Sequence, residues 1–193
     1  MNIFKQSKVG LKENVEYKLT DENGDIKPIF KANKLYTWLM KKSFVSNDLT
    51  SPLLGHFVDS MVIANLITTA GVAGIAARIN GSGSPDAYTY VGIGTGTTGA
   101  ADANTQLEAE ITTSGGARAS ASVSVVTTDT AGDTAQLQLT YNFTTGASFA
   151  ITESGVLNAA STGTLLARQV FSAINVASGD SLQVTWKFDV DTA

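Results

Sequence analysis

The stretch of this chain that most resembles a chemical site is residues 94–99, which spell G-x-G-x-x-G after a strand-like run. Glycines at this spacing hold a dinucleotide pyrophosphate only where the turn opens a long helix and an acid follows for the ribose. Residues 100–111 allow at best a short helix capped by Asp102, and the loop after it has no carboxylate. A Walker loop is excluded because no lysine lies between Lys42 and Lys187. We therefore predict that these glycines serve turn geometry and close backbone approach.

Nucleophilic and metal chemistry have few candidate residues. The chain has one histidine, His56, and no cysteine, so a catalytic triad would depend on His56 alone and a zinc site would need mostly carboxylates. His56 lies beside apolar residues at helical spacing, which favours a partly buried structural histidine. The sequence predicts a protein that is not an enzyme and that has no catalytic residue, metal or cofactor.

The carboxylates do not form an acid–base pair of the glycosidase kind. Glu108 and Glu110 are two residues apart, so on a short helix they face different ways. Glu153 and Asp180 lie next to Ser and Gly, which is typical of turn carboxylates that accept backbone hydrogen bonds.

Two arginines lie inside strand patterns of an otherwise arginine-poor region, Arg118 and Arg168. Two interpretations stay open at this point. Each guanidinium pairs with an acid such as Glu110 or Glu153, or it crosses a subunit interface.

The elements that position these residues change in character near residue 80. Beyond it, apolar and polar residues alternate with period two, the pattern of strands with one buried face and one wet face. The clearest examples are residues 119–125, 137–143 and 182–190, with shorter runs at 149–152, 155–157 and 165–171. The fold predicted is mainly β, with an antiparallel β-sandwich or jelly-roll-like body over residues 85–193.

An α-helical and β-hairpin segment is expected before this body. Asn23-Gly24 predicts a hairpin turn, and a calcium loop is rejected because Ile26 stands where such a loop needs glycine. Apolar spacing predicts helices over residues 31–42 and from Pro52 to Val62, with a break or a tight contact at Gly71 and Gly74. This divides the chain into a basic arm with hairpin and short helix (1–50), a helical connector packed on the body (51–84) and the sandwich (85–193).

Charge is distributed unevenly along the chain, whose formal net charge is −4. Residues 1–42 hold nine of the 13 Lys and Arg residues, whereas the remainder is acidic. Five acids among those lysines argue against nucleic-acid binding, and polar residues within the apolar stretch 61–77 argue against a membrane span. A partner-facing segment is favoured, and the candidate interface residues are Phe4, Lys5, Lys8, Lys12, Lys31, Lys34, Lys41, Lys42, Arg118 and Arg168.

Several phrases in order along the chain resemble small virion structural proteins of tailed bacteriophages. They are residues 64–67, 71–79, 88–98, 151–159, 165–171 and 179–186. The resemblance implies a non-enzymatic particle component, assembled in the host cytoplasm and located in the virion, whose partners are other virion proteins. The low charge and the Gly, Ala and Ser content of the strands also favour a homo-oligomer, with a trimer as one arrangement.

Several roles remain open. The favoured one is a capsid decoration (cement) protein that binds the major capsid protein through its N-terminal segment and sandwich. The alternative is a neck, tail or fibre-attachment protein. A carbohydrate-binding adhesion module is less favoured, because Tyr88, Tyr90 and Tyr141 are the only aromatic candidates and Tyr141 is in phase with core residues.

Overall fold

The computed structural model describes residues 9–32, 55–83 and 86–192. These residues form twelve strands and one helix, α1, which spans Thr69–Asn80. The strands are β1 (Val9–Thr20), β2 (Ile29–Ala32), β3 (Gly55–Val58), β4 (Met61–Ala64), β5 (Leu66–Ile67), β6 (Tyr90–Gly94), β7 (Ala119–Ser120), β8 (Ser122–Val126), β9 (Thr134–Asn142), β10 (Ser148–Leu157), β11 (Leu165–Ala177) and β12 (Ser181–Thr192).

Ten of these strands form two five-stranded sheets. Their orders are β4-β1-β12-β9-β8 and β5-β11-β10-β6-β7, while β2 and β3 form a separate ribbon. Each pair of neighbours is antiparallel. The predicted mainly-β, antiparallel sandwich is confirmed, and the finer jelly-roll topology stays a prediction.

The core lies between the two sheets and follows the alternation in the sequence. Tyr17 and Trp186 of one sheet and Ile151 of the other are fully buried. Two tyrosine hydroxyls join the layers: Tyr17 Oη lies 2.7 Å from Ser154 Oγ, and Tyr141 Oη donates to the Val91 carbonyl at 2.7 Å. Burial raises the pKa of both tyrosines, so both hydroxyls stay protonated.

The predicted division into arm, connector and body is not reproduced in the described residues. Strand β1 lies between β4 and β12, and its pairing with β12 runs from Val9–Thr192 to Thr20–Ser181. It belongs to the sandwich because its alternate residues, such as Val15 and Tyr17, contribute fully buried side chains to the core. The arm and connector of the prediction therefore supply strands to the body.

The predicted hairpin turn at residues 21–25 is present, but the hairpin is short. Asp21 Oδ1 accepts from the backbone N–H groups of Asn23 and Asp25, and Gly24 has φ 85°, a left-handed conformation that glycine adopts without strain. Only a bridge between Thr20 and Ile26 follows, because β2 pairs with β3 instead of returning along β1.

The helix predicted from Pro52 to Val62 is wrong where the structure describes it. Residues 55–58 and 61–64 are strands, β3 paired with β2 and β4 paired with β1. The same spacing of apolar residues is compatible with a helix and with two short strands. Pairing with β1 and β2 decided in favour of the strands. The other predicted helix, over 31–42, begins with two β2 residues, and the rest of it lies outside the described residues.

The two glycines of α1 are tight contacts and not a break. Gly71 lies against the Leu166 backbone and Gly74 against the Tyr88 ring, at distances that leave no room for a Cβ. Thr68 caps the helix, accepting from the Gly71 N–H at 2.9 Å. The helix is thereby held close to β11. Among the described residues no helix has the length and apolarity needed to cross a bilayer.

Candidate functional site

The carboxylate of Glu153 is a buried group beside the glycine-rich loop that accepts four hydrogen bonds. Strand β6 ends at Gly94, which lies opposite Glu153 of β10. A register irregularity in β10 comes just before Glu153. The side chain is fully buried. Its Oε1 accepts from Gly96 N at 3.1 Å and Ala109 N at 2.7 Å, and its Oε2 accepts from Glu108 N at 3.1 Å. One carboxylate thus ties both ends of the loop to β10.

Arg168, on the neighbouring strand β11, is the counter-charge. Its Nε donates to Glu153 Oε2 at 2.8 Å, and the whole residue is 1% exposed. Nη1 donates to the Thr98 carbonyl and to Asn104 Oδ1, both at 3.1 Å. Nη2 lies 3.3 Å from Glu108 Oε2, on a side chain that is 41% exposed. All three guanidinium nitrogens are therefore used in contacts with the loop or with β10.

Two glycines of the loop, Gly94 and Gly96, are required by the close approach of this carboxylate. A Cβ on Gly96 would lie 2.6 Å from Glu153 Oε1 and 2.6 Å from the Cβ of Glu108, and one on Gly94 would overlap Glu153 Oε1 and the Ala109 carbonyl. Neither residue has a positive φ. The predicted close backbone approach is confirmed at both positions, and turn geometry is not the reason for either glycine.

The loop therefore presents its amides to the protein's own anion. A phosphate-binding turn aims backbone N–H groups at its ligand from the start of a helix. Here the amides of Gly96, Glu108 and Ala109 point at Glu153. The short helix allowed over residues 100–111 is wrong, because this stretch contains turns and a bridge between Gly94 and Glu110. Its residues are held by side-chain bonds to Glu153 and Arg168 instead of a helical ladder.

A second arginine fixes the far end of the same segment. Arg118 Nε donates to Glu110 Oε1 at 2.7 Å and Nη2 to Glu110 Oε2 at 2.5 Å, a two-bonded fork. Nη1 donates to the carbonyls of Ala159 and Thr162, at 3.1 and 2.8 Å, in the loop between β10 and β11. The pair thus holds two loops at one end of the sandwich.

The pairing predicted for both arginines is confirmed, Arg118 with Glu110 and Arg168 with Glu153. The alternative, a role across a subunit interface, stays an untested prediction. Glu108 and Glu110 do face different partners. Glu153 accepts backbone hydrogen bonds as predicted, although it lies in a strand and not in a turn.

Asp180 was also predicted correctly, as a turn residue that leads into the last strand. It lies between β11 and β12, and its Oδ2 accepts from Ala177 N at 2.9 Å and from Lys27 Nζ at 2.6 Å. The carboxylate therefore closes the tight connection between these two strands.

His56 was expected to be partly buried on a helix, and this is wrong. It is exposed on β3, opposite Lys31. The reason is the strand geometry, in which Gly55 packs against the Lys31 backbone and the Phe30 ring while the next residue points to solvent.

Of the other candidate interface residues, Lys12 lies on β1 and Lys31 on β2. The remaining six lie outside the described residues: Phe4, Lys5, Lys8, Lys34, Lys41 and Lys42. The sequence reasoning missed Thr98 and Asn104 as partners of Arg168. No sequence signal links them, because the contacts join residues that are 70 and 64 positions apart in the sequence.

Chemically, this arrangement fixes loops. The oxygens of Glu153 accept four hydrogen bonds between them, so its lone pairs are not available to a substrate. In the part of the chain that the structure describes, no three His, Cys, Asp or Glu side chains are grouped so as to hold a metal ion. Comparison with models of protein families, with curated proteins and with solved structures found no match to this chain.

Proposed function

We propose that this protein is a non-enzymatic structural component of a tailed-phage virion, a capsid decoration protein that binds the shell through its N-terminal segment and its β-sandwich. The observation that carries the proposal is that the charged side chains around the glycine-rich loop are used to hold the structure together. Glu153, Arg168, Glu110 and Arg118 bond to one another and to backbone groups, and so hold the segment 95–118 against β10 and β11.

Fully satisfied buried networks rigidify the structure around them. In this chain the two acid–arginine pairs hold residues 95–118 and the connection after β10 at one end of the sandwich. A rigid loop surface of this kind suits repeated docking on a lattice of identical subunits, because little ordering entropy is lost on binding.

The charge distribution supports a two-part contact with the shell. Nine of the 13 basic residues lie within residues 1–42, and the rest of the chain is acidic. A basic segment and a sandwich surface that bind neighbouring positions together reach an avidity above that of either alone.

The test is co-sedimentation of the purified chain with phage heads and with phage tails that each lack their own copy. A decoration protein binds heads saturably, at a copy number close to that of the capsid protein. Binding to tails alone, or at one position per head, contradicts the decoration role and assigns the chain to the neck or tail. Absence of binding to both particles contradicts a virion role.

The charge argument is tested by substitution, since truncation would remove β1 from the core. The double variant Lys41→Glu with Lys42→Glu should bind phage heads more weakly, and its binding should depend less on salt concentration. Arg78→Glu with Lys187→Glu is the matched control, with the same charge change on α1 and β12, outside residues 1–42. Equal loss of binding in both pairs would show that total charge, and not the N-terminal segment, governs binding.

A further inference from the structure

Strand β8 is an edge strand whose inward-facing side chains are exposed. Val123 lies opposite Leu137 of β9, and Val125 lies opposite Ala135, so both valines share the face of Leu137, which is buried in the core. Yet Val123 is 57% and Val125 is 70% exposed. The alternation at residues 119–125 predicted a buried face, and this is wrong for these two valines, because the second sheet does not extend over them.

A groove separates β8 from residues 87–89, which precede β6. The chain joins the second sheet at β7 and then crosses to the first, so β8 diverges from residues 87–89 after a last hydrogen bond from Ala121 N to the Thr89 carbonyl. The opening has a volume of about 540 Å³ and is lined on one side by Tyr88 and on the other by Val123 and Val125.

This edge also lacks the usual protection against pairing. Natural edge strands carry charges, proline or bulges that prevent another strand from adding. Residues 119–128 contain no charged residue and no proline. The opposite edge of the same sheet differs, since on β4 the inward-facing Met61 is 1% exposed and the exposed Val62 points away from the core.

Residues 1–8 of the same chain are too short to cover this edge. They precede β1, and β8 lies three strand spacings away, about 14 Å. The register places Val126 at the same level of the sheet as Thr134, Asp189 and Lys12. A chain that started from residue 8 would therefore also have to travel about 14 Å back along the strand direction to reach β8. An extended chain that covers this distance would use about six of the eight residues. Residues 33–54 begin and end at β2 and β3, which pack beside β11 near the opposite edge.

We propose that β8 is a self-association surface, on which β8 of a second copy of this chain pairs antiparallel about a two-fold axis at Ser124. Only this register pairs all five residues of the strand. It sets Val123 of each copy opposite Val125 of the other on the inner face, and Ser124 opposite Ser124 on the outer face. Because the strand is uncharged, no like charges meet within the paired strands. The proposal does not rest on the virion role.

Cysteine substitution tests the register, since the chain has no cysteine of its own. Paired Cα atoms of neighbouring antiparallel strands lie about 4.5–5.5 Å apart, within reach of a disulfide. Ser124→Cys should form a covalent dimer under mild oxidation. Ser122→Cys is the matched control, equally exposed and on the same face, but its partner cysteine would be about 14 Å away. A dimer with both variants, or with neither, would overturn the proposal.

Light scattering tests the association without a cross-link. The wild-type chain should have twice its mass of 20.1 kDa at micromolar concentration. Val125→Lys should halve that mass, whereas Val62→Lys, an exposed valine on the other edge strand, should leave it unchanged. A wild-type mass of one chain or of three chains would overturn the proposal, as would a Val125→Lys protein that stays dimeric.

Discussion

Glu153→Gln is the substitution that tests how much the buried cluster contributes to stability. The change keeps the shape of the side chain and replaces one carboxylate oxygen with an NH₂ group. Four donors converge on the carboxylate, two on each oxygen: Gly96 N and Ala109 N on Oε1, Glu108 N and Arg168 Nε on Oε2. Whichever way the amide is turned, two donors face another donor.

The magnitude follows from those two lost bonds. A buried donor left without an acceptor costs about 1–3 kcal/mol, so Glu153→Gln should lower the free energy of unfolding by about 2–6 kcal/mol. A chain of this size loses about 2–4 °C of Tm for each kcal/mol, which gives a fall of at least about 4 °C. Total stabilities of 5–15 kcal/mol are usual, so such a loss is readily measured.

Urea unfolding followed by circular dichroism, with linear extrapolation, measures the change. Glu108→Gln is the control, because it is the same substitution on a side chain that is 41% exposed and water can replace its partners. Its loss should stay within about 1 kcal/mol. A Glu153→Gln protein within about 0.5 kcal/mol of the wild type would refute the view that this carboxylate fixes the loop.

Three further changes test local contacts. Gly96→Ala should destabilise by about 1–3 kcal/mol in urea unfolding, since its Cβ would overlap atoms of Glu153 and Glu108, whereas Gly99→Ala, with nothing within 4 Å, should not. Thr68→Ala should lose about 1–2 kcal/mol by thermal unfolding, and Thr68→Ser, which keeps the capping hydroxyl, should lose less. Backbone hydrogen bonds, of which the one from Thr128 N–H has the largest effect, lower the pKa of Asp133. The Asp133 carboxylate therefore stabilises the folded state above about pH 4, and this contribution is lost as the pH falls further. The urea midpoint of Asp133→Asn should therefore fall less between pH 5 and pH 2 than that of the wild type.

The strands that were predicted best are those in which the apolar face is buried over most of its length. In β9 and β12 the apolar residues alternate without interruption, and Leu137, Tyr141, Val184 and Trp186 are all buried. Period-two alternation identifies such strands because only one backbone conformation places those side chains together. The turn position of Asp180 could also be predicted from the sequence, since a carboxylate beside Ser and Gly is typical of turns.

Other features depended on contacts distant in sequence. Whether residues 55–64 form a helix or two strands was decided by β1 and β2, which pair with them. The loop containing Gly96 is held by Glu153, and its glycines resembled a nucleotide motif because both structures need backbone to approach an anion. The exposure of Val125 depends on how far the opposite sheet extends, which periodicity does not encode.

The pairing of β1 with β12 has a consequence for how the chain is made. Val9 and Thr192 are register partners, so the centre of one sheet joins the beginning of the described chain to its end. Tyr17 and its neighbours on β1 emerge from the ribosome long before β12 can cover them, and β9 reaches its place beside β12 equally late. Such distant pairings fold slowly, because the closure entropy of the intervening chain is lost before any contact compensates for it. During that interval the newly made strands have apolar faces uncovered, which makes them candidates for chaperone binding or misassembly when many copies are synthesised at once.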